Sequence, residues 1–249
     1  MKNRDLLLRK CYRLYMANLA IIPARGGSKR IPKKNIKSFL GTPIIAYSIK
    51  AAIQSNLFDE VMVSTDDDEI AKIALEHGAK VPFLRSKANA NDYAVLADVI
   101  EEVVFQYKEN NQIFNNVCCI LPTAPFVTPS KITEAYNTLA NNNFDSVFPV
   151  LEFSFPIQRS LKIENQKAEM VWSEYMNSRS QDLEPRYHDS GQFYWVKVSS
   201  FIKEKKLFTA NSGALVISEL YAQDIDSETD WRLAEIKYKL MLNGQENNL

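Results

Sequence analysis

The sequence has no excess of charge of either sign: its 249 residues carry 30 Lys+Arg and 30 Asp+Glu. A balanced chain has no general attraction for nucleic acid, so any cluster of cations in it is a local device. Cysteine is scarce. Cys11, Cys118 and Cys119 give no disulfide framework, and the adjacent pair sits in an apolar run that reads as buried thiols in a reducing compartment. No apolar stretch approaches the length needed to span a bilayer. The basic leader MKNRDLLLRKCYRLYM is broken by Asp5, has only three leucines as its apolar core, and leads to no small-residue cleavage site, so it does not read as a signal peptide. Repeats and low-complexity tracts are also missing. These absences point to a cytoplasmic protein in which residues 1–17 are an N-terminal extension and residues 18–249 one domain.

What is present is an ordinary core-forming composition, 46% hydrophobic and 24% charged, and a rhythm. Strand candidates at Asn18–Ala24, Glu60–Thr65, Ala79–Leu84, Val117–Leu121 and Ser146–Leu151 alternate with helical patterns at Thr42–Ser55, Asp67–His77, Tyr93–Lys108 and Pro129–Ala140. Gly78 suits the end of the second helix, and Pro43 the first turn of the first. Such alternation predicts an α/β fold, a mostly parallel sheet flanked by helices. The rhythm breaks over residues 152–187, polar and poorly periodic, which read as an excursion too short for a core of its own. Strand character resumes at Gly191–Val198, and Trp231–Leu242 supplies a last amphipathic helix.

In open α/β sheets ligands collect beyond the carboxyl ends of strands. The loop after the first strand, ARGGSKRIPKKN (Ala24 to Asn35), holds two glycines that let backbone amides approach an anion. Arg25 can grip phosphate oxygens in pairs, with Lys29, Arg30, Lys33 and Lys34 as point charges. The loop lacks the Gly-Lys-Ser/Thr ending of a P-loop and the third glycine of a dinucleotide fingerprint. It is either a phosphate cradle or a solvated basic surface. Asp224 and Asp226, two apart in AQDIDSETD, can converge on one hard cation. Alternatively, Asp226 or Ser227 caps the last helix. Position six from Asp224 is Thr229 rather than glycine, which excludes a calcium loop. Ser64, Thr65 and Asp66 orient a substrate or cap a helix. His188 beside Asp189 has no nucleophile elbow to serve. Gln192, Tyr194 and Trp195 line a sugar pocket or belong to the core.

Taken together these motifs resemble the CMP-sugar synthetases, the cytidylyltransferases that activate nonulosonic acids and 3-deoxy-octulosonate. The resemblance rests on IPARGGSKRIPKKN from Ile22 to Asn35, on VSTDDDEIAKIA, on LPTAPF with Leu121 where the family has Gln, and on DIDSETD. It spans Asn18 to about Leu242. It implies a Rossmann-like nucleotidyltransferase fold, with CTP held by Ala24, Arg25, Gly26, Gly27, Ser28, Lys29, Lys34 and Asn35. It further implies that Arg85 reads cytosine with Asp92 and Ala94 nearby. Asp224 and Asp226 would hold catalytic Mg²⁺, and Arg25 and Lys34 would steady the leaving pyrophosphate. Residues 152–187 would be the arm of a homodimer. DSGQFYW, from Asp189 to Trp195, looks like the pseudaminic acid branch, with Gln192, Tyr194 and Trp195 on a nine-carbon sugar acid. Two other readings of the residues are a metal-dependent glycosyltransferase anchored by Asp224-Ile225-Asp226 and a non-catalytic nucleotide sensor.

Overall fold

The first strand, β1 (Asn18–Pro23), is buried along its whole length, as a central parallel strand must be. The structure, a computed structural model, describes residues 17–246; Cys11 and the rest of the leader lie outside them. The short strands β2 (Ser38–Phe39) and β3 (Thr42–Pro43) pair with each other. Then come α1 (Ile44–Ser55), β4 (Glu60–Ser64), α2 (Asp68–Glu76), α3 (Leu96–Glu109), β5 (Asn116–Ile120), α4 (Pro129–Asn141) and β6 (Ser146–Glu152). The hairpin β7 (Leu161–Glu164) and β8 (Lys167–Met170) follows, then β9 (Tyr187–Asp189), β10 (Phe193–Lys197), α5 (Val198–Glu204), β11 (Ser212–Val216) and α6 (Glu228–Glu246). The main sheet runs β11-β6-β10-β5-β1-β4, with β9 joined to β6.

Two helical layers cover the sheet. Ala20, Ile22, Cys118, Ile120, Phe193 and Trp195 face one layer, built on Ile45 and Ile49 of α1, Ile70 of α2 and Ile132 and Leu139 of α4. Leu19, Ile21, Val117, Cys119, Tyr194 and Val196 face the other, with Ile100, Val103 and Tyr107 of α3 and Phe201 of α5. The period of two along each strand sorts the two sets. Cys118 and Cys119 are free and fully buried, and burial pushes the Cys119 thiol up to about 12. A third cluster decides where the functional residues meet. Ile31, Phe39, Ile44, Phe126, Ile225, Trp231 and Ala234 are buried together, so the loop after β1 and the stretch before α6 are stitched through their isoleucines.

Two sequence expectations need correction, and one strand direction is new. Ala79–Leu84 is no strand: Lys80 bridges Met62 through Lys80 N to Val61 O and Val63 N to Lys80 O, both 2.9 Å. Pro82, which has no N–H, cannot extend a ladder that Lys80 begins. The resumed strand, β10, is antiparallel to both β5 and β6, and β11, which the pattern did not reveal, restores a parallel pair with β6. The third helix begins at Leu96 rather than Tyr93, because Asn91 Oδ1 accepts from the N–H groups of Tyr93 and Ala94 and holds a turn there. Among the described residues no helix is long and apolar enough to cross a membrane.

Candidate active site

The carboxyl ends of β1 and β5 open into a cleft of about 440 Å³. Arg25, Ser28, Lys29, Lys34, Asn35, Arg85, Asp92 and Ala94 line it, with Leu121, Pro122 and Thr123 from the segment after β5. Ala24 belongs to the scaffold: it is fully buried and its N–H donates to Ser64 O at 2.9 Å. Gly26 is where the loop requires a glycine. A Cβ there would come within 2.6 Å of Asp67 Oδ2, whereas one on Gly27 would meet open space. Asp67 caps α2 by accepting from Glu69 and Ile70, and Asp66 accepts from the Gly26 N–H at 3.0 Å. Asn35, buried, donates from Nδ2 to Arg25 O at 2.9 Å and ties the two ends of the loop together.

The loop cations are all paired with acids, Asp92 and Asp226 each holding two of them. Arg25 Nη1 lies 2.7 Å from Asp92 Oδ1, and Lys29 binds the other oxygen. The Lys29 ammonium, with Arg25 second, holds the Asp92 carboxyl below its ordinary range. Arg30 lies 2.9 Å and Lys34 3.4 Å from Asp226, and Lys34 Nζ also donates to Ile225 O at 2.7 Å. The neighbouring Lys33 has φ 51°, a left-handed conformation uncommon for lysine. It binds Glu69 across the loop at 2.5 Å.

Arg85 is the buried cation of the site, 8% exposed. Its Nε donates to Ser64 Oγ at 3.1 Å and its Nη2 to Ser64 O at 2.5 Å. A guanidinium has five donors, so others are left for a ligand. Burial pushes its pKa down, with the Asp66 charge opposing. Ser64 therefore positions an arginine rather than touching substrate, and Asp67, not Thr65 or Asp66, caps the next helix.

Asp224 and Asp226 flank the buried Ile225 and both stand toward solvent. Enough protein surrounds Asp224 that desolvation, with the Asp226 charge second, holds its carboxyl above the ordinary value. Helix α6 has a different cap. Asp230 N donates to Ser227 Oγ at 3.2 Å, and Asp230 Oδ2 accepts from Ser227 N at 2.8 Å, a reciprocal capping box. The Asp226 side chain is thereby free of the cap and pairs instead with Arg30 and Lys34, which line the cleft. Asp224 and Asp226 offer two carboxylates, and Mg²⁺ takes one or two carboxylates and completes its shell with phosphate oxygens and water. Among the described residues no group of three or more His, Cys, Asp or Glu could hold a metal.

The residues expected on the sugar fare differently. Trp195 is fully buried, stacks on Phe58 at 5.1 Å between ring centroids, and donates from its indole to Ile132 O at 3.1 Å. It is a core residue, because a strand's period of two turns it to the α1–α4 face. Tyr194, 4% exposed, points to the opposite layer and its hydroxyl donates to Asp189. Burial, then that bond, push its pKa up. Gln192 is buried and donates to Tyr221 O at 2.6 Å. His188 is exposed, with Nδ1 2.9 Å from Asp189 O, and faces no nucleophile. Asp66, offered by the sequence as a substrate-orienting or capping residue, instead braces the loop at Gly26, and Lys237, which braces the chain before Asp224, carries no motif that would have marked it.

A Gly-containing cationic loop after the first strand, a buried arginine beyond the second, and an acidic pair opposite them define an α/β nucleotidyltransferase. A family model described as Cytidylyltransferase matches residues 19–225, and the chain belongs to that family. Its relatives include the pseudaminic acid cytidylyltransferase of Campylobacter jejuni, 42% identical over 226 residues, 90% of this chain and 97% of the relative. The CMP-N,N'-diacetyllegionaminic acid synthase of Legionella pneumophila is 34% identical over 238 residues, 93% of this chain and 99% of the relative. Among solved structures, a CMP:2-keto-3-deoxy-manno-octonic acid synthetase complexed with CTP superposes with TM-score 0.66 over 91% of this chain and 99% of its own. At 16% identity that likeness concerns the fold.

Proposed function

We propose that this chain transfers CMP from CTP to the anomeric hydroxyl of a nonulosonic acid, with pseudaminic acid the preferred acceptor, and releases pyrophosphate. The observation that carries this reading is the meeting, in one cleft, of Arg25, Lys29 and Lys34 with the buried Arg85. The first three suit a triphosphate, and the last suits the carbonyl of a base in the same cleft, which Leu96 and Val99 also line. The sugar hydroxyl attacks the α-phosphorus. The bond from that phosphorus to the bridging oxygen breaks, pyrophosphate departs with the electron pair, and the hydroxyl proton is lost. Arg25 and Lys34 act on the charge that gathers on the leaving group. Lys34 starts paired with Asp226, so nucleotide binding exchanges one anion for another without baring a cation.

Asp224 and Asp226 would hold Mg²⁺ together with the nucleotide's own oxygens, an ion that offsets phosphate charge and acidifies a nearby hydroxyl. Gly191 lies beside the Asp224 carboxyl, which supports the Asp189–Gln192 turn as part of the acceptor site. The excursion, residues 152–187, supports a homodimer: Phe155 and Ile163 are 84% and 73% exposed, a high exposure for large apolar groups. The 42% identity to a pseudaminic acid enzyme and the DSGQFYW pattern support the acceptor, and the buried free thiols support a cytoplasmic setting. The test is pyrophosphate release from CTP and Mg²⁺ with a panel of sugar acids. Turnover is expected with pseudaminic acid well above that with N-acetylneuraminate or 3-deoxy-octulosonate. Equal kcat/KM for all three would sink the acceptor assignment, and no release with any nonulosonic acid would sink the reaction.

A further inference from the structure

Asp224 and Asp226 sit on a stretch with neither helical nor strand hydrogen bonds, between a single 3-10 turn (Glu219–Tyr221) and α6. Such a stretch keeps its shape only if something else binds its backbone. At its far end the ties are plain. Lys34 Nζ donates to Ile225 O, Asp230 Oδ2 accepts from Asp226 N at 3.1 Å, and Ile225 is buried. At its near end two side chains from different elements hold it. Gln192 donates to Tyr221 O at 2.6 Å, and Lys237 Nζ donates to Glu219 O at 3.1 Å and to Ala222 O at 3.0 Å. Ala222 is itself buried, two residues before Asp224.

Lys237 is the unusual member. A lysine on the side of a helix ordinarily leaves its ammonium in water or near a carboxylate. This one, half-buried on α6, bonds two carbonyls three residues apart. It therefore fixes the chain that leads into Asp224 relative to the same helix whose capping box fixes the chain that leaves Asp226. The acidic pair is clamped at both ends by α6.

We infer that Lys237 is a positioning residue for the cation-binding carboxylates: by clasping Glu219 O and Ala222 O it sets where Asp224 stands against Asp226. This rests on the reading of those two residues as metal ligands. The contacts that define its role are to backbone carbonyls, Glu219 O and Ala222 O. Its loss should loosen the geometry of the pair, which Mg²⁺, with its strict octahedral demand, registers more sharply than nucleotide binding does.

The test compares Lys237→Met, which keeps the aliphatic stem and removes the donor, with Lys237→Arg, which keeps a donor of similar reach. Mn²⁺ binding in the presence of CTP is read from the free-ion electron paramagnetic resonance signal, and CTP binding in EDTA by calorimetry. Supporting groups around a metal site are typically worth about 10- to 100-fold in metal affinity. The expectation for Lys237→Met is thus Mn²⁺ affinity lowered about 10-fold and CTP affinity in EDTA unchanged. The Mg²⁺ titration of pyrophosphate release should move to higher concentration with most of kcat recovered at saturation, and Lys237→Arg should restore much of the loss. Unchanged Mn²⁺ binding in Lys237→Met would overturn the proposal. So would an equal loss of CTP affinity in EDTA, which marks a fold defect. Asp224→Asn separates the two levels: if it too leaves Mn²⁺ binding unchanged, the metal reading itself fails, whereas a loss there with none in Lys237→Met rejects only the positioning role.

Discussion

Asp92 sits between Arg25 and Lys29 as an anion would, and this makes it a rival of the triphosphate. Asp92→Asn should free both cations and bind sulfate, an anion whose charge does not change between pH 3 and 8, a few-fold more tightly than the parent at neutral pH. The sign with pH follows from its depressed carboxyl. The ionised form is favoured in the folded protein, so the latch is fully present above the ordinary aspartate range and is lost as pH falls through the lowered value. Sulfate affinity of the parent should accordingly rise toward that of Asp92→Asn as the solution is acidified. Sulfate isotherms that stay apart down to the acid limit of folding would contradict this. Arg25→Ala acts in the opposite sense. It removes a charged contact to the leaving group and should cost about 2–4 kcal/mol, or roughly 30- to 1000-fold in kcat, with the thermal midpoint little changed. Near-normal turnover would reduce the loop to a surface feature.

Among the elements, α6 carries the clearest division of labour. Ser227 and Asp230 cap it, Lys237 clasps the preceding chain, and Asp226 faces the loop cations. Ser227→Ala should therefore cost about 1 kcal/mol of stability, seen as a lower thermal midpoint, while Asp226→Asn leaves the midpoint nearly unchanged and sharply lowers pyrophosphate release. Excess Mg²⁺ or Mn²⁺ should restore part of that activity. If Asp226→Asn instead lost stability and kept turnover, the roles of cap and ligand would be reversed. The same division marks what could be read from residues alone. β1, β4, β5 and β6 announced themselves because continuous apolar runs are buried on both faces, and α1, α2 and α4 because their apolar spacing is helical. The direction of β10 was not legible: strand chemistry is the same whichever way the chain runs, and only the long return through the excursion sets it antiparallel. The cationic loop and the acidic pair were legible as charges. That they meet was not, because it depends on Ile31 and Ile225 sharing one cluster across almost 200 residues of chain. Trp195 misled because an aromatic on a strand near a site looks alike whether it faces the cleft or the helices.

For the molecule as a whole, the excursion is the open end. Its hairpin turns at Asn165 and Gln166, both at positive φ (51° and 65°), the geometry of the tight turn that matches strand twist. Leu161 and Ile163 of β7 lie on the same side at spacing two and are exposed. A second copy of this chain covering them predicts a dimer in sedimentation. Ile163→Glu combined with Phe155→Glu should yield a monomer whose circular dichroism matches the parent, since neither side chain is buried in the core. Unchanged dimer mass in that variant would move the interface elsewhere.

The two ends of this excursion leave and return side by side. Glu152 pairs with Tyr187, Leu151 with His188, and Phe153 N donates to Arg186 O at 2.9 Å. The arm therefore hangs from the catalytic body by a zipped stem, as a pendant hangs from a clasp. Lengthening or trimming whatever lies beyond that stem changes a loop whose ends are already joined, and loop entropy grows only with the logarithm of length. Changes beyond the stem are thus tolerated while Asp189, just inside it, keeps its hold on Gly191 and Tyr194. The excursion and the site are free to evolve at different speeds.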